Sequence, residues 1–149
     1  LVSLFDNDFH KSQELYVCFA SEVFEHFEKN KQEVLDISEG FCKLKMTVRE
    51  EMINGFNIAH GGISYSLADS CLAFAANSDG IQSVSIETSI SHTKKVKSGD
   101  VLTATSKEIN KSSKTALYYI TITNQDSEEI AHFKGTVYRT GKEWFPRKI

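Results

Sequence analysis

The spacing of apolar residues changes along the chain, and each pattern predicts a different element. Residues 8–29 place apolar side chains at helical intervals with glutamates between them, which predicts an amphipathic N-terminal helix. Residues 41–49 alternate apolar with charged or polar side chains, which predicts a half-buried strand. After a loop at residues 54–57, a second helix is predicted near residues 60–77.

Four more strands are predicted after the second helix. Segments rich in β-branched residues are separated by turn-forming residues, and these segments fall at 83–90, 101–109, 116–123 and 130–140. The order of helix, strand, helix and then a meander of four strands is typical of an α+β fold with a largely antiparallel sheet. The second helix is apolar nearly all round, and in a chain of this length only a sheet curved around it could bury it.

Composition and charge exclude several classes of protein. The chain has 149 residues, 40% of them hydrophobic and 25% charged, which is typical of a single globular domain over residues 1–149. A net charge of −3 argues against binding to nucleic acid or an anionic membrane surface, and the least charged window, residues 58–78, is too polar to span a bilayer. Three cysteines cannot all pair, which indicates reduced thiols in a cytoplasmic protein. Neither the cysteines nor the five histidines have metal-ligand spacing, so we expect no metal ion.

Asp69 is the only side chain between Gly61 and Ser78 of a type that is charged at neutral pH. A carboxylate in a buried helix costs several kcal/mol unless it is hydrogen-bonded, paired or protonated. Groups of this kind are often retained because they have a chemical task. The other interpretation is that Asp69 lies on a narrow solvent-facing stripe with Ser66 and Ser70.

The sequence His60-Gly61-Gly62 stands where the second helix is predicted to begin. Glycines let another group approach the backbone closely, and the unpaired N–H groups of a first helical turn favour an anion or a developing oxyanion. A plain glycine-rich cap would explain the same residues, and His60 alone is more typical of a structural hydrogen bond than of a catalyst.

A basic cluster follows the strand predicted at residues 83–90; it comprises Lys94, Lys95 and Lys97. Lysines at this position could hold phosphate groups as mobile charges. They could equally protect the end of a strand from pairing with another chain.

Residues 54–69 read NGFNIAHGGISYSLAD, and this segment closely resembles the hotdog-fold acyl-CoA thioesterases of the phenylacetate-degradation type. The resemblance continues at residues 84–87, 97–100 and 133–136 and covers roughly residues 35–141, although Lys95-Val96 stands where the family commonly has a proline. It implies a curved antiparallel sheet around one long helix, which agrees with the pattern above. It also implies homodimers, usually paired into homotetramers, that hydrolyse a CoA thioester to a free acid and CoA with no metal or other cofactor.

The resemblance further implies roles for individual residues. Asp69 would be the nucleophile or the general base that activates water, and the backbone N–H of Gly61 would bind the thioester oxygen as it becomes an oxyanion. Asn54 would orient the water or the substrate, His60 would support that loop, and Ser85 would help to position the attacking water. The candidates for binding the substrate and its CoA phosphates are Gly62, Lys94, Lys95, Lys97 and Arg139.

Helix geometry adds an independent expectation about assembly. Gly61 and Asp69 are eight positions apart, which is roughly 12 Å along one helix axis. Both cannot reach one carbonyl, because working groups must lie within about 3 Å of the reacting atoms. If both act on one substrate, Gly61 of one subunit must meet Asp69 of the partner subunit, and a two-fold dimer with antiparallel helices achieves this.

Two other functions stay open from the sequence. One is a non-catalytic hotdog module that binds acyl-CoA or an acyl ligand, although such modules usually lose the carboxylate that Asp69 provides. The other is a hotdog dehydratase, which would need a His and an Asp in one site, such as His60 and Asp69. The acyl group is also open: the resemblance suggests an aryl acyl group such as phenylacetyl, and a medium-chain acyl group fits the sequence equally.

Overall fold

A six-stranded sheet wraps around one long helix in the computed structural model, which describes residues 31–145. Helix α1 spans Gly61–Asn77, as predicted, and a short 3-10 helix, Glu50–Met52, precedes it. The strands are β1 (Glu33–Ser38), β2 (Phe41–Thr47), β3 (Ile81–His92), β4 (Val101–Lys111), β5 (Thr115–Thr123) and β6 (Glu129–Glu143). The N-terminal helix predicted at residues 8–29 lies outside the described residues. Within residues 31–145, no helix is long and apolar enough to cross a membrane.

The strands are antiparallel and lie in the order β1-β2-β4-β5-β6-β3. The predicted meander is correct for β4, β5 and β6 and wrong for β3, which pairs with β6 at the edge of the sheet. The alternation of apolar residues specifies which face of a strand is buried, and it carries no information about the neighbouring strand.

Strand β1 was not predicted, because its sequence lacks a clear alternation. Only Val34 and Ile37 are partly buried there, and a bulge between Val34 and Asp36 shifts the register against β2. The remaining side chains are exposed, which is typical of a charged edge strand.

Helix α1 packs against the inner face of the sheet, as its apolar composition predicted. Leu67 and Leu72 of the helix belong to one core together with Leu44, Leu102 and Ile120 from the strands, and all five are almost fully buried. Burying one such side chain contributes about 1.5–3 kcal/mol, so this core accounts for much of the stability of the fold.

The cysteines in the described residues, Cys42 and Cys71, are buried free thiols. A hydrogen bond with Cys71, together with burial, raises the pKa of the Cys42 thiol well above its usual value. Both side chains therefore act as small apolar core residues at neutral pH. Cys18 lies outside the described residues.

The end of α1 is fixed by the side chain of its last residue, Asn77. Its Nδ2 donates to the carbonyl of Ala73, and its Oδ1 accepts from the Ser83 backbone N–H at 2.8 Å and from Trp144 Nε1 at 2.9 Å. One buried amide thus ties together the helix, the start of β3 and the residue after β6, leaving the start of α1 as the open end.

Candidate active site

Helix α1 starts without a side-chain cap. His60 occupies the cap position with no side-chain hydrogen bond to the first turn; its backbone N–H donates to the Met52 carbonyl and its own carbonyl accepts from Ile63. The first N–H groups of a helix have no carbonyl one turn earlier to bond to, so those of Gly61 and Gly62 are directed out of the helix start. A Cβ added at Gly62 would meet nothing within 4 Å, so the backbone here is open to a ligand.

A cavity of about 390 Å³ lies at this helix start. Its lining residues are Asn54, Ile58, Ala59, His60, Gly61, Ser64, His92, Thr93, Lys94, Lys95, Val96 and Leu102. The structure therefore brings together five of the residues selected from the sequence, which are Asn54, His60, Gly61, Lys94 and Lys95. Basic and hydrogen-bonding groups share the cavity with four aliphatic side chains, a combination suited to an organic ligand that carries negative charge.

Asn54 shapes the loop that forms one wall of this cavity. Its Oδ1 accepts from the Phe56 N–H at 2.9 Å, its backbone N–H donates to the Ile58 carbonyl, and its carbonyl accepts from Asn57. This is an Asx turn, which Asn favours because its side chain can mimic a backbone carbonyl. Within residues 31–145, Asn54 Nδ2 donates no hydrogen bond, so it is the group through which Asn54 can bind a ligand.

His92 belongs to this cavity and was missed by the sequence analysis. Its Nε2 lies 2.9 Å from Ser64 Oγ and 3.3 Å from the Gly61 carbonyl oxygen. A Cβ added at Gly61 would be 3.1 Å from His92 Cε1, so a glycine at position 61 makes room for the ring. The only sequence feature that could have indicated His92 is the alternation of side chains along β3, which places His92 on the same inward face as Ile90.

The lysine cluster is divided by the fold. Lys94 lines the cavity and forms an ion pair with Glu128, and that lysine holds the pKa of the Glu128 carboxyl below its usual value. Lys95 also lines the cavity and is exposed. Lys97 is outside the lining, in the turn where its backbone N–H donates to Asp100 Oδ2. Two of the three lysines are therefore placed to meet a ligand in the cavity.

Asp69 and Ser85 do not line the cavity. Asp69 is half-buried on α1, and it shares a partly covered stripe of the helix with Ser66, Ser70 and Ala73. One turn earlier on the same side, the Tyr65 hydroxyl forms a hydrogen bond with Thr88 Oγ1 of β3. Ser85 lies on β3 and is paired with Val137 of β6. Although both are on the face of the sheet that is directed towards the helix, Ser85 is exposed. Within one protomer, Asp69 and Gly61 remain two turns of helix apart.

Arg139 is not placed with the lysines. It is buried on β6, where its Nη1 forms a 2.7 Å ion pair with Asp79 near the far end of α1, and Lys111 lies 3.6 Å from the same carboxylate. In the described residues Arg139 thus has a packing role away from the cavity, and its contact with CoA phosphates stays a prediction. The sequence could not reveal this, because the alternation that buries Arg139 in β6 says nothing about its partner.

No group of three or more His, Cys, Asp or Glu side chains within residues 31–145 is arranged to hold a metal ion. The cavity presents a backbone N–H, an amide, hydroxyls, imidazoles and lysines, and a half-buried carboxylate, Asp69, lies further along the same helix.

Comparison with known proteins identifies relatives of this arrangement. The model of the thioesterase superfamily matches residues 56–131. A protein of Archaeoglobus fulgidus described as a candidate esterase is 41% identical over 120 residues, which covers 80% of this chain and 78% of the relative. The acyl-coenzyme A thioesterase PaaI of Escherichia coli is 37% identical over 109 residues, covering 73% and 78% of the two chains.

Solved structures give the same result for the fold. The E. coli PaaI protein, from the phenylacetic acid degradation operon, superimposes with a TM-score of 0.84 at 32% identity, covering 90% of this chain and 96% of that one. A Streptococcus mutans protein solved bound to acetyl-CoA has a TM-score of 0.72 at 27% identity, covering 75% and 90% of the two chains.

Proposed function

This chain belongs to the thioesterase superfamily and has the hotdog fold, and from this premise we propose that it hydrolyses the thioester of an aryl- or medium-chain acyl-CoA to the free acid and CoA. The observation that carries the proposal is the open start of α1, where Gly61 lines a cavity with a basic rim. The relatives that act on or bind acyl-CoA support the substrate class.

The Gly61 N–H is the proposed oxyanion donor. As the thioester carbonyl is attacked, its oxygen gains negative charge, and an N–H at a helix start stabilises that charge through both a hydrogen bond and the helix dipole. Glycine suits the position because it leaves the N–H unshielded, and because a Cβ there would lie 3.1 Å from His92 Cε1 and require a shift of the ring.

Asp69 of the partner subunit is the proposed base or nucleophile. As a base it takes a proton from water while the water oxygen bonds to the thioester carbon; the tetrahedral intermediate then expels the CoA thiolate, which is protonated. As a nucleophile its carboxylate attacks the thioester carbon and expels the CoA thiolate, which is protonated, and water hydrolyses the resulting anhydride in a second step. Asn54 and Ser85 orient the water or the substrate, and His60 supports the Asn54 loop.

A homodimer is part of this proposal, because the two principal groups lie too far apart in one protomer. The half-buried stripe of α1 around Asp69 would be covered by a partner. Strand β3 lies at the edge of the sheet and exposes Val84 and Ile86, so it offers both backbone groups and apolar surface for two-fold pairing. Two such dimers would form the homotetramer that the family resemblance suggests.

The CoA part of the substrate is assigned to the rim of the cavity. Lys94 and Lys95 can neutralise phosphate groups, with Lys97 nearby in the following turn and Gly62 offering backbone contact. The aliphatic residues Ile58 and Val96 can pack against the pantetheine arm or the acyl group. No metal ion is needed for hydrolysis in this scheme.

The test is release of free CoA thiol from a panel of aryl- and alkyl-acyl-CoA esters. Asp69→Asn should lower turnover about a hundredfold or more, because an amide is neither a base nor a good nucleophile. The matched control is Asp126→Asn, the same change in an exposed turn, which should retain wild-type turnover. Ser85→Ala should cost less than Asp69→Asn, since Ser85 orients rather than reacts.

Other outcomes would redirect the assignment. Tight acyl-CoA binding without turnover in the wild type would indicate a binding module. Hydration of crotonyl-CoA, or dehydration of a 3-hydroxyacyl-CoA, without thiol release would indicate a dehydratase. Full activity of Asp69→Asn on the best substrate would remove Asp69 from the mechanism.

A further inference from the structure

We propose that His92 is a positioning residue for this hydrolysis: it donates its Nε2 hydrogen to the Gly61 carbonyl and to Ser64 Oγ, and so holds the turn of helix that presents the oxyanion-binding N–H. This inference rests on the proposed function, and its test includes a measurement that does not depend on turnover.

The hydrogen-bond network assigns the tautomer of His92. Nε2 lies within reach of two oxygens, the Gly61 carbonyl at 3.3 Å and Ser64 Oγ at 2.9 Å. A carbonyl can only accept, so the Gly61 oxygen favours a hydrogen on Nε2; Ser64 Oγ can then accept from Nε2 and donate its own hydrogen to the same carbonyl at 3.1 Å. Both neighbours of Nε2 are therefore acceptors, so the ring carries its hydrogen on Nε2.

The first turn of α1 needs such support because its own sequence provides little. Two successive glycines have more backbone freedom than any other residue pair and low helix propensity. The cap residue His60 makes no side-chain hydrogen bond to the turn. His92 is the last residue of β3 and is paired with Ala131 of β6, so its ring connects the turn to the sheet.

A catalytic Ser–His pair is the competing interpretation of the same contact, since a serine within hydrogen-bond distance of a histidine can be a nucleophile with its base. That role would require a lone pair on Nε2 directed at Ser64. The Gly61 carbonyl oxygen beside the same nitrogen would repel it. Ser64 is also only 4% exposed, and its hydroxyl hydrogen is used by the helix. The geometry therefore favours positioning over nucleophilic catalysis.

The test compares two replacements of similar size. His92→Gln keeps an N–H donor near the position of Nε2, whereas His92→Phe keeps a planar ring without a donor. His92→Phe should lower kcat about three- to tenfold with little change in KM, because the oxyanion contact strengthens only in the transition state. His92→Gln should recover most of the loss. Wild-type kcat in His92→Phe, or an equal loss in both variants, would overturn the proposal.

Ser64→Ala separates positioning from nucleophilic catalysis. As a supporting contact, its loss should cost no more than that of His92, whereas loss of a nucleophile would abolish turnover and overturn the positioning role.

Hydrogen–deuterium exchange of the peptide that contains residues 60–65 gives a readout independent of substrate. Exchange should be faster in His92→Phe than in the wild type and should return towards the wild-type rate in His92→Gln. If the wild type hydrolyses no ester in the panel, the proposed function fails, and the exchange rates still decide whether His92 holds the turn. If residues 60–65 exchange at the same rate in His92→Phe and in the wild type, His92 does not hold the turn and the positioning role is overturned.

Discussion

Leu72 of α1 packs directly against Gly135 of β6. A Cβ added to Gly135 would lie 2.5 Å from Leu72 Cδ2, well inside van der Waals contact, and 3.2 Å from Phe133 Cε1. Leu72 is itself almost fully buried, so its side chain has little space into which it could move. Glycine at position 135 therefore allows Leu72 of α1 to pack directly against the backbone of β6.

Gly135→Ala should lower the free energy of unfolding by about 1–3 kcal/mol, because overpacking forces strained side chains or a shift of the helix. The control is Gly55→Ala, since a Cβ there meets nothing within 4 Å. Denaturant unfolding should place the control within about 0.5 kcal/mol of the wild type. Equal stabilities for the two variants would contradict the packing described here.

Subunit complementation can test whether the active site is shared. Gly61→Pro should be nearly inactive because proline has no backbone N–H, and His60 already has the extended backbone that a residue before proline needs; Asp69→Asn should be inactive through loss of the carboxylate. A dimer of one subunit of each kind would contain one intact site, formed by Gly61 of the Asp69→Asn subunit and Asp69 of the other. Random mixing by co-expression should restore about a quarter of wild-type activity, since half of the dimers are mixed and each has one working site. If the mixture is no more active than either variant alone, the two residues act within one subunit or have separate functions.

Stability at alkaline pH should depend on Tyr118. Burial, and the hydrogen bond that its hydroxyl donates to Glu108 Oε2, raise the pKa of Tyr118 above its usual value. Above about pH 10 the unfolded chain loses this proton while the folded chain keeps it, so the unfolded state binds fewer protons and the free energy of unfolding falls as the pH rises. Tyr118→Phe should make that fall shallower. Tyr119→Phe, which removes the same atom from an exposed ring, should keep the wild-type slope.

Arg139→Met should destabilise the protein by about 3 kcal/mol, because it leaves the largely covered Asp79 carboxylate with the more distant Lys111 as its neighbouring cation. Urea unfolding measures the loss. The folded variant should keep its KM for acyl-CoA to within about twofold, since Arg139 lies away from the cavity. An increase in KM of tenfold or more with unchanged stability would instead return Arg139 to the CoA site.

Sequence alone predicted the elements whose side chains alternate cleanly or follow a helical period. Helix α1 was found with its bounds, because its apolar residues end at turn-forming residues on both sides. Strand β1 was missed because a bulge interrupts its pattern, and the partner of β3 was wrong because pairing depends on the whole sheet.

The sequence could predict only those residues of the candidate site that lie close together along the chain. Gly61 and Asp69 are in one recognisable segment, so both could be selected. His92 is 31 residues beyond Gly61, and only the packing of β3 against the helix start joins them. The burial of Arg139 likewise depends on Asp79, 60 positions earlier in the chain.

The pairing of β3 with β6 also determines the order in which the fold can form during synthesis. Strand β3 ends at His92, and the residues that pair with it begin only at Ala131. While the ribosome makes the intervening segment, β3 has no partner strand in the new chain. The sheet can close only after β6, residues 129–143, has left the exit tunnel, so β3 stays unpaired until that strand has been made. A nascent chain stalled before β6 would expose β3 and become a substrate for chaperones.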